Sequence, residues 1–434
     1  MPQRVTSSAS PAPLPASPLA IADYRRFWLG RCAAVFATSG MVVVLGYQLY
    51  DLARGPYGMS IKAAAFQLGL FGLAQFLPQI LFAPIAGLVA DRFDRRAVTA
   101  LVTLFDVLIA LALALGTWFS LLTLPLLFVM AALHGMVRTF IGPAQGSIAP
   151  NIVPAPLIPR AIAISAMAWQ IGAVCGPALA GVLFAINPAL PYALSAGLLV
   201  IAAISTARIR PVPPPPGNAH AHPLRQIGEG MVYVWRDRFL LGCVTLDLFA
   251  VLLGGATALL PVYARDILTW HGHPVGSYGL GLMRAMPSLG ASVIGLVIAR
   301  RPIEHDVGAR MLLAVVAFGI ATAGFGISRN FIVSLALLAA LGAADMVSVF
   351  IRNTLVQLHT PDAVRGRVSA ISGLAISASN ELGEMESGLA AALLGATGAV
   401  VFGGLGAVLI TVAWTFAFPE LRRTRTFSAS YARD

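Results

Sequence analysis

The sequence predicts an all-α membrane protein, with twelve transmembrane helices arranged as two pseudo-symmetric bundles of six. Composition is the first reason: 58% of the 434 residues are hydrophobic, 11% are charged, and the mean hydropathy is +0.82. A soluble globular chain of this length would not tolerate those values. The second reason is that apolar stretches long enough to cross a hydrocarbon core, roughly 20 residues at 1.5 Å each, recur about twelve times. The third is an internal echo between the two halves of the chain, the mark of a duplicated bundle.

The elements follow in order. Residues 1–22 are rich in Pro, Ala and Ser, and Arg4 is the only charge before residue 20. They lack the apolar core of a cleaved signal and read as a disordered cytoplasmic tail. The N-terminal bundle, 23–207, holds apolar stretches centred near residues 38, 76, 108, 135, 172 and 197. Between the second and third lies the charge-dense run Gly87-Leu-Val-Ala-Asp91-Arg92-Phe-Asp94-Arg95-Arg96. Gly87 is expected to let two helices approach closely, and Asp91 to sit at a helix end near the positive end of a neighbouring helix dipole. Residues 208–238, with Pro211, Pro213 to Pro216, His220 and His222, are too polar and proline-rich for a span and read as a cytoplasmic linker. The C-terminal bundle, 239–419, has centres near 250, 288, 318, 345, 381 and 407, and 420–434 read as a second cytoplasmic tail.

Two matches carry the duplication. Gly72-Leu-Ala-Gln75-Phe-Leu-Pro78 is echoed by Gly281-Leu-Met-Arg284-Ala-Met-Pro287, and Pro154, Arg160 and Ala163-Ile-Ser165 by Pro361, Arg367 and Ala370-Ile-Ser372. On the second register Gly176-Pro177 and Gly181 fall opposite Gly383-Glu384 and Gly388, and Arg138 falls opposite Asp345. The halves share a frame but have diverged in charge.

The formal net charge of +11 is a topology signal rather than a nucleic-acid surface. With both termini cytoplasmic, about 21 of the basic residues fall on cytoplasmic segments and about four (Arg54, Lys62, Arg265, Arg329) outside. Cys32, Cys175 and Cys243 lie in apolar stretches without metal-ligand spacing. The sequence has no phosphate-binding Gly-x-x-x-x-Gly-Lys-Ser/Thr loop and no Ser-His-Asp set, so neither an ATPase nor another enzyme is expected.

From about Tyr24 to Pro419 the chain resembles the major facilitator superfamily of secondary transporters, and within it the enterobactin-exporter-like branch of drug and siderophore efflux proteins. The resemblance rests on the Gly87 to Arg96 loop, Tyr47-Gln-Leu-Tyr50-Asp51-Leu52, Leu246-Asp247-Leu-Phe249, Leu259-Leu-Pro261, and the stretch from Arg352 through Gly366-Arg-Val368 to Glu384. Gly172-x-x-x-Gly176-Pro177-x-x-Ala180-Gly181 is similar to the antiporter motif of the fifth helix, with Ala180 in place of the usual Gly. Gly176, Pro177 and Gly181 would then form a hinge, and ordinary small-residue packing is the alternative. Asp94 stands where many relatives have Gly, and the acid that often completes the loop's charge cluster is missing, since no Asp or Glu occurs between Asp106 and Glu229. A contact of Asp91 with the eleventh helix near Gly366 and Arg367 is still implied. So is a conformational role for Gly87, Asp91, Arg92, Arg95 and Arg96.

Ionisable groups inside a bilayer mark function or pairing. Counting along each helix places Asp106 and Arg138 about 15 Å deep, able to pair, and Asp247 and Arg352 about 9 to 12 Å deep. The same count gathers Asp345, Arg284 and Glu381 near the midplane, where transporter sites are built. Glu381 and Glu384 share a helix face, and two carboxylates there repel, so at least one is expected to hold its proton near neutral pH. Glu381 or Glu384 is the expected proton-exchanging acid, with Asp345 and Arg284 as neighbours. A static salt-bridge cluster is the alternative. His134 is a lesser candidate, read first as a hydrogen-bonded histidine. Gln75, Trp169, Tyr47, Gln48 and Phe71 are expected to line the N-terminal half of the cavity.

The expected function is export of a small amphipathic organic solute, a siderophore, driven by the proton gradient without a cofactor. A broad multidrug exporter of cationic drugs is one alternative, and a non-transporting membrane sensor or scaffold is another. The expected partners are the solute, protons and the lipid bilayer, with no nucleic acid. The chain is expected to be a monomer in the bacterial inner membrane that hands its solute to an outer-membrane channel.

Overall fold

The computed structural model describes residues 17–146, 148–212 and 223–427, except the side chains of residues 91, 223–227, 362, 363 and 370. The N-terminal half contains α1 (Ala22–Arg54), α2 (Ile61–Arg92), α3 (Arg95–Trp118), α4 (Leu124–Gly146), α5 (Ile158–Ile186) and α6 (Leu190–Ala207). In the second half α7 starts as Arg238–Leu253, breaks at Gly254 and Gly255, and continues through Ala256–Leu259 and Leu260–Val262 to a π turn, Tyr263–Ile267. Then come α8 (Gly276–Arg300), α9 (Val307–Ile327), α10 (Phe331–His359) and one helical run, Asp362–Ala417.

That run is two spans. Gly395 interrupts it with φ 77° and ψ 163°, a backbone region essentially confined to glycine. The arms are α11 (362–394) and α12 (396–417). Eleven apolar runs long enough to cross a membrane therefore make twelve crossings among the described residues, in the two bundles of six expected. A two-residue hairpin, β1 (Thr269–Trp270) and β2 (His273–Pro274), joins α7 to α8. Its turn residues His271 and Gly272 both have positive φ, at 50° and 84°, as a tight hairpin turn requires.

The end of the molecule bearing the linker and the start of α1 is here the inner end, and the opposite end, with the α1–α2 loop and the hairpin, the outer end. One continuous apolar core fills the outer half and crosses between bundles, uniting Leu45, Tyr50 and Leu68 with Tyr263, Leu280 and Ala391. Toward the inner end the core divides. One cluster around Tyr24 and Ile148 belongs to the N-terminal bundle, and another around Leu240 and Ile351 belongs to the C-terminal bundle.

Several segments differ from expectation. Residues 1–16 and 428–434, and Pro213 to Pro216, His220 and His222, lie outside the described residues. Residues 17–21, assigned to the first tail, include a short turn, Pro18–Ala20, and α1 already begins at Ala22. The second tail is folded as far as residue 427, because Leu421 is buried and the N–H groups of Val307 and Gly308 donate to the carbonyls of Arg425 (3.3 Å) and Thr424 (3.0 Å). The linker contains a helix, Pro223–Arg236, whose Val234 enters the C-terminal core while Glu229 pairs with Arg367 at 2.6 Å.

Asp94, the departure in the loop, has a structural job. Its carboxylate accepts from the N–H of Arg96 (2.9 Å), capping α3, and from the N–H of Val212 (3.2 Å), tying the start of the linker to the bundle. Asp237 does the same for α7. It accepts from the N–H groups of Phe239 and Leu240, both at 3.0 Å, and lies 2.9 Å from His359 Nε2. Burial alone would raise its carboxyl, but the contacts with His359 and the two N–H groups outweigh burial and hold it below the usual value of 3.8. Such a group stabilises the fold fully above that usual value and loses the effect as pH falls through its own lower value. Asp237→Ala is expected to lower stability by about 1 kcal/mol at pH 7, with the difference from wild type narrowing in strong acid. Thermal unfolding in detergent at the two pH values checks this.

Candidate functional site

The shared outer core brings α1, α2 and α5 of the first bundle against α7, α8 and α11 of the second. Glycine makes this possible at two crossings. A Cβ at Gly388 would lie 2.4 Å from the Cα of Gly69, and one at Gly181 would lie 2.9 Å from the Cα of Gly281. A charged latch surrounds this closure. The Tyr50 hydroxyl donates to Asp266 (2.5 Å), Arg54 pairs with the same carboxylate at 3.2 Å, and Arg265 pairs with Asp51 at 3.1 Å. Lys62 Nζ donates to the carbonyl of Leu393 (2.9 Å).

Beneath the closure lies the central charge cluster. Arg138 of α4 reaches across to Glu381 of α11, Nη1 to Oε1 3.6 Å, so an ion pair bridges the two bundles. One turn toward the outer end, Glu384 packs on α2, where a Cβ at Gly72 would meet its Cβ at 2.9 Å. The charges around Glu384 are Glu381, Arg284 and Arg138. Arg284 of α8 shares with it a cavity of about 50 Å³, also lined by Gly46, Phe71, Thr257 and Pro261. The cavity has room for a few water molecules. Glu384 thus faces a cavity large enough for water and lies near a cation, but has no ion pair within 4 Å among the described residues. Between the bundles, Gln170 Nε2 also donates to Ser288 O and Ser292 Oγ, each at 2.6 Å.

The expected Asp106–Arg138 pair does not form. Asp106 is fully buried against His134, 2.8 Å from Nδ1, inside the N-terminal bundle. Arg138, one turn along α4, turns to Glu381 instead. A count along a helix fixes the height of a residue but not the direction in which it points. The same reason corrects Asp345. It interacts with the buried Asp247–Arg352 pair rather than gathering with Arg284 and Glu381. Asp345 and Arg352 are seven residues apart, two turns on one face of α10.

Gln48 is likewise turned away from the expected cavity, bound to the Tyr192 hydroxyl (2.7 Å) and to Thr117 (3.1 Å). Tyr47 is buried edge-on against Phe184. Gln75 is buried with its Oε1 unpaired, and Trp169 is exposed. The side chain of Asp91 lies outside the described residues, so its expected contact near Gly366 and Arg367 is not described.

Gly87 is not at a close helix contact: a Cβ there meets nothing within 4 Å, because it sits at the inner end where the bundles have separate cores. Arg92 is exposed, Arg95 donates to the carbonyl of Ala90, and Arg96 pairs with Asp94 at 3.3 Å. Helix α5 runs unbroken through Pro177, with Gly172 and Gly176 packed on the α1 backbone at Phe36.

Sequence reasoning missed the outer latch, the Arg138–Glu381 bridge and Gln170. The visible signal for the latch was the placing of Asp51, Arg54, Arg265 and Asp266 at the outer ends of two spans that duplication makes equivalent.

The profile of the Major Facilitator Superfamily matches residues 27–384. The chain is 26% identical over 416 residues to the enterobactin exporter EntS of Citrobacter koseri, with 93% of each chain covered. It is 25% identical over 412 residues to the protein of that name from Escherichia coli O1:K1, again over 93% of each. Among solved structures, a peptide transporter POT in complex with sulfate superposes with a TM-score of 0.73 at 13% identity, over 94% of this chain and 96% of that one. The nucleoside transporter NupG gives 0.72 at 12% identity, over 91% and 100%. A profile match across most of the chain, on twelve spans in two bundles that meet around buried charge, shows that this protein belongs to the major facilitator superfamily.

Proposed function

We propose that the protein is a proton-coupled efflux carrier that exports a small amphipathic organic solute, a catecholate siderophore, by alternating access. The observation that carries this reading is the Arg138–Glu381 bridge between the bundles, with Glu384 one turn away on a small cavity. An acid that gives up and regains a proton needs contact with water and no permanent counter-ion, which suits Glu384. Glu381, held by Arg138, is the element that opens when the bundles rock. The excess of basic residues at the inner end makes that end cytoplasmic. The divided inner core is then a route for solute from the cytoplasm, and the proton gradient is the energy source. Siderophore export itself rests on the enterobactin exporters that the chain resembles.

The test is proton release in inside-out vesicles from cells expressing wild type, Glu384→Gln or Glu381→Gln, on adding enterobactin and then a cationic dye. Release driven by enterobactin, abolished by Glu384→Gln in protein that still binds the solute, is the expected result. A response to the dye alone would identify a multidrug exporter. Coupling unchanged in Glu384→Gln would remove that residue from the proton path. Loss of folded protein in both variants would mark the cluster as a static brace.

A further inference from the structure

A groove of about 740 Å³ runs along the flank of the N-terminal bundle, lined almost wholly by carbon from Phe82 and Val89 of α2, Leu101 and Phe105 of α3, and Met130 and Met136 of α4. It exists because α2 and α3 each pack on α4 but scarcely on each other. Along α3 its lining extends from Ala97 to Ala112, about 22 Å at 1.5 Å per residue. One leaflet of a bilayer is about 15 Å deep, so a whole acyl chain can lie in it. The groove faces lipid: Leu101, Phe105 and Leu108 are exposed, and α3 packs on α4 and α6 of its own bundle.

Its inner mouth is charged. Val89 lines the groove, and Arg92, three residues on, continues the same helix face beyond the apolar lining. Arg92 is exposed and makes no hydrogen bond or ion pair among the described residues. The nearby charges are engaged otherwise: Arg95 donates to Ala90 O, and Arg96 holds the Asp94 carboxylate that caps α3. Over residues 91–96, three arginines stand against two aspartates.

We propose that this groove holds an acyl chain of an anionic phospholipid from the inner-end leaflet, with the lipid phosphate resting on Arg92. A free phosphate would make no use of the apolar trough. The transported solute would be stranded on the face turned away from the other bundle. A zwitterionic headgroup would bring an ammonium toward the arginines. The groove flanks α2, whose outer half carries Gly69 and Gly72 of the closure, so the bound chain wedges a helix that must move.

The test is native mass spectrometry of the full-length protein after delipidation, titrated with phosphatidylglycerol or with phosphatidylethanolamine of matched chains. Wild type is expected to retain one phosphatidylglycerol about five-fold more tightly than phosphatidylethanolamine, the factor that one basic group near a membrane surface supplies. Arg92→Gln should abolish that preference while still binding both lipids, and Arg92→Lys should keep it. Ala112→Phe, which fills the exposed trough, should weaken both lipids alike. Equal binding of the two lipids by wild type, an unchanged preference in Arg92→Gln, or displacement of the lipid by enterobactin would each overturn the proposal. Should Ala112→Phe fail to fold, the two Arg92 variants still decide it.

Discussion

A valine at Gly388 is expected to drive the outer ends of the two bundles apart and shift the protein toward an arrangement open at that end. A Cβ at this position would lie 2.4 Å from the Cα and 2.6 Å from the N of Gly69. Both are backbone atoms of a helix, so neither can rotate away and α2 and α11 must separate. Overpacking a fitted contact costs about 1 to 3 kcal/mol, a population shift of about 5- to 150-fold. The check is the distance between spin labels at Tyr57 and Ile327, on the outer ends of opposite bundles, after replacement of the native cysteines. Gly388→Val should lengthen it. Gly87→Val should not, because a side chain there meets nothing within 4 Å in this arrangement. The Gly87 substitution should instead slow transport, by obstructing closure at the inner end. An unchanged distance in Gly388→Val would show that the Gly69–Gly388 contact does not hold the outer end shut.

The contrast between these two glycines shows what could be read from the sequence and what could not. Twelve spans and two halves were legible because apolar length and an internal repeat are one-dimensional properties. Even the break in the last helical run emerged, from separate apolar centres on either side of Gly395. Rise along a single helix was legible too, since 1.5 Å per residue needs only a helix. Azimuth was not. Each residue turns the helix by about 100°, so Asp106 and Arg138, counted to one depth, point to different partners, and a partner for either depends on how α3 and α4 pack. The outer latch was hidden for a related reason. Arg54 and Asp266 are 212 residues apart, and nothing local says that α1 and the end of α7 meet. Gly87 was read as a contact glycine on the strength of its motif, yet the contact belongs to whichever end is closed. The linker helix was masked by the prolines before it, although Gly230 and Val234 share the spacing of one helix face.

Removing Arg352 is expected to be the most damaging single substitution in the C-terminal bundle. Arg352 and Asp247 are both buried and form an ion pair between α10 and α7. Taking one partner from such a pair leaves an uncompensated charge and costs about 3 to 5 kcal/mol. The two directions are not equivalent, because Asp345 interacts with both members. Arg352→Leu leaves two aspartates with no cation, whereas Asp247→Asn leaves Arg352 with Asp345 as a substitute partner. The first variant should therefore be markedly less stable than the second, and Asp247→Leu combined with Arg352→Leu should recover much of the loss. Thermal unfolding in detergent measures all three. Equal destabilisation by the two single variants would show that Asp345 does not stand in for Asp247. Transport separates this cluster from the central one. If Asp247→Asn retains proton-driven movement of solute while Glu384→Gln loses it, the buried pair of α7 and α10 is a brace, and coupling resides where the bundles meet.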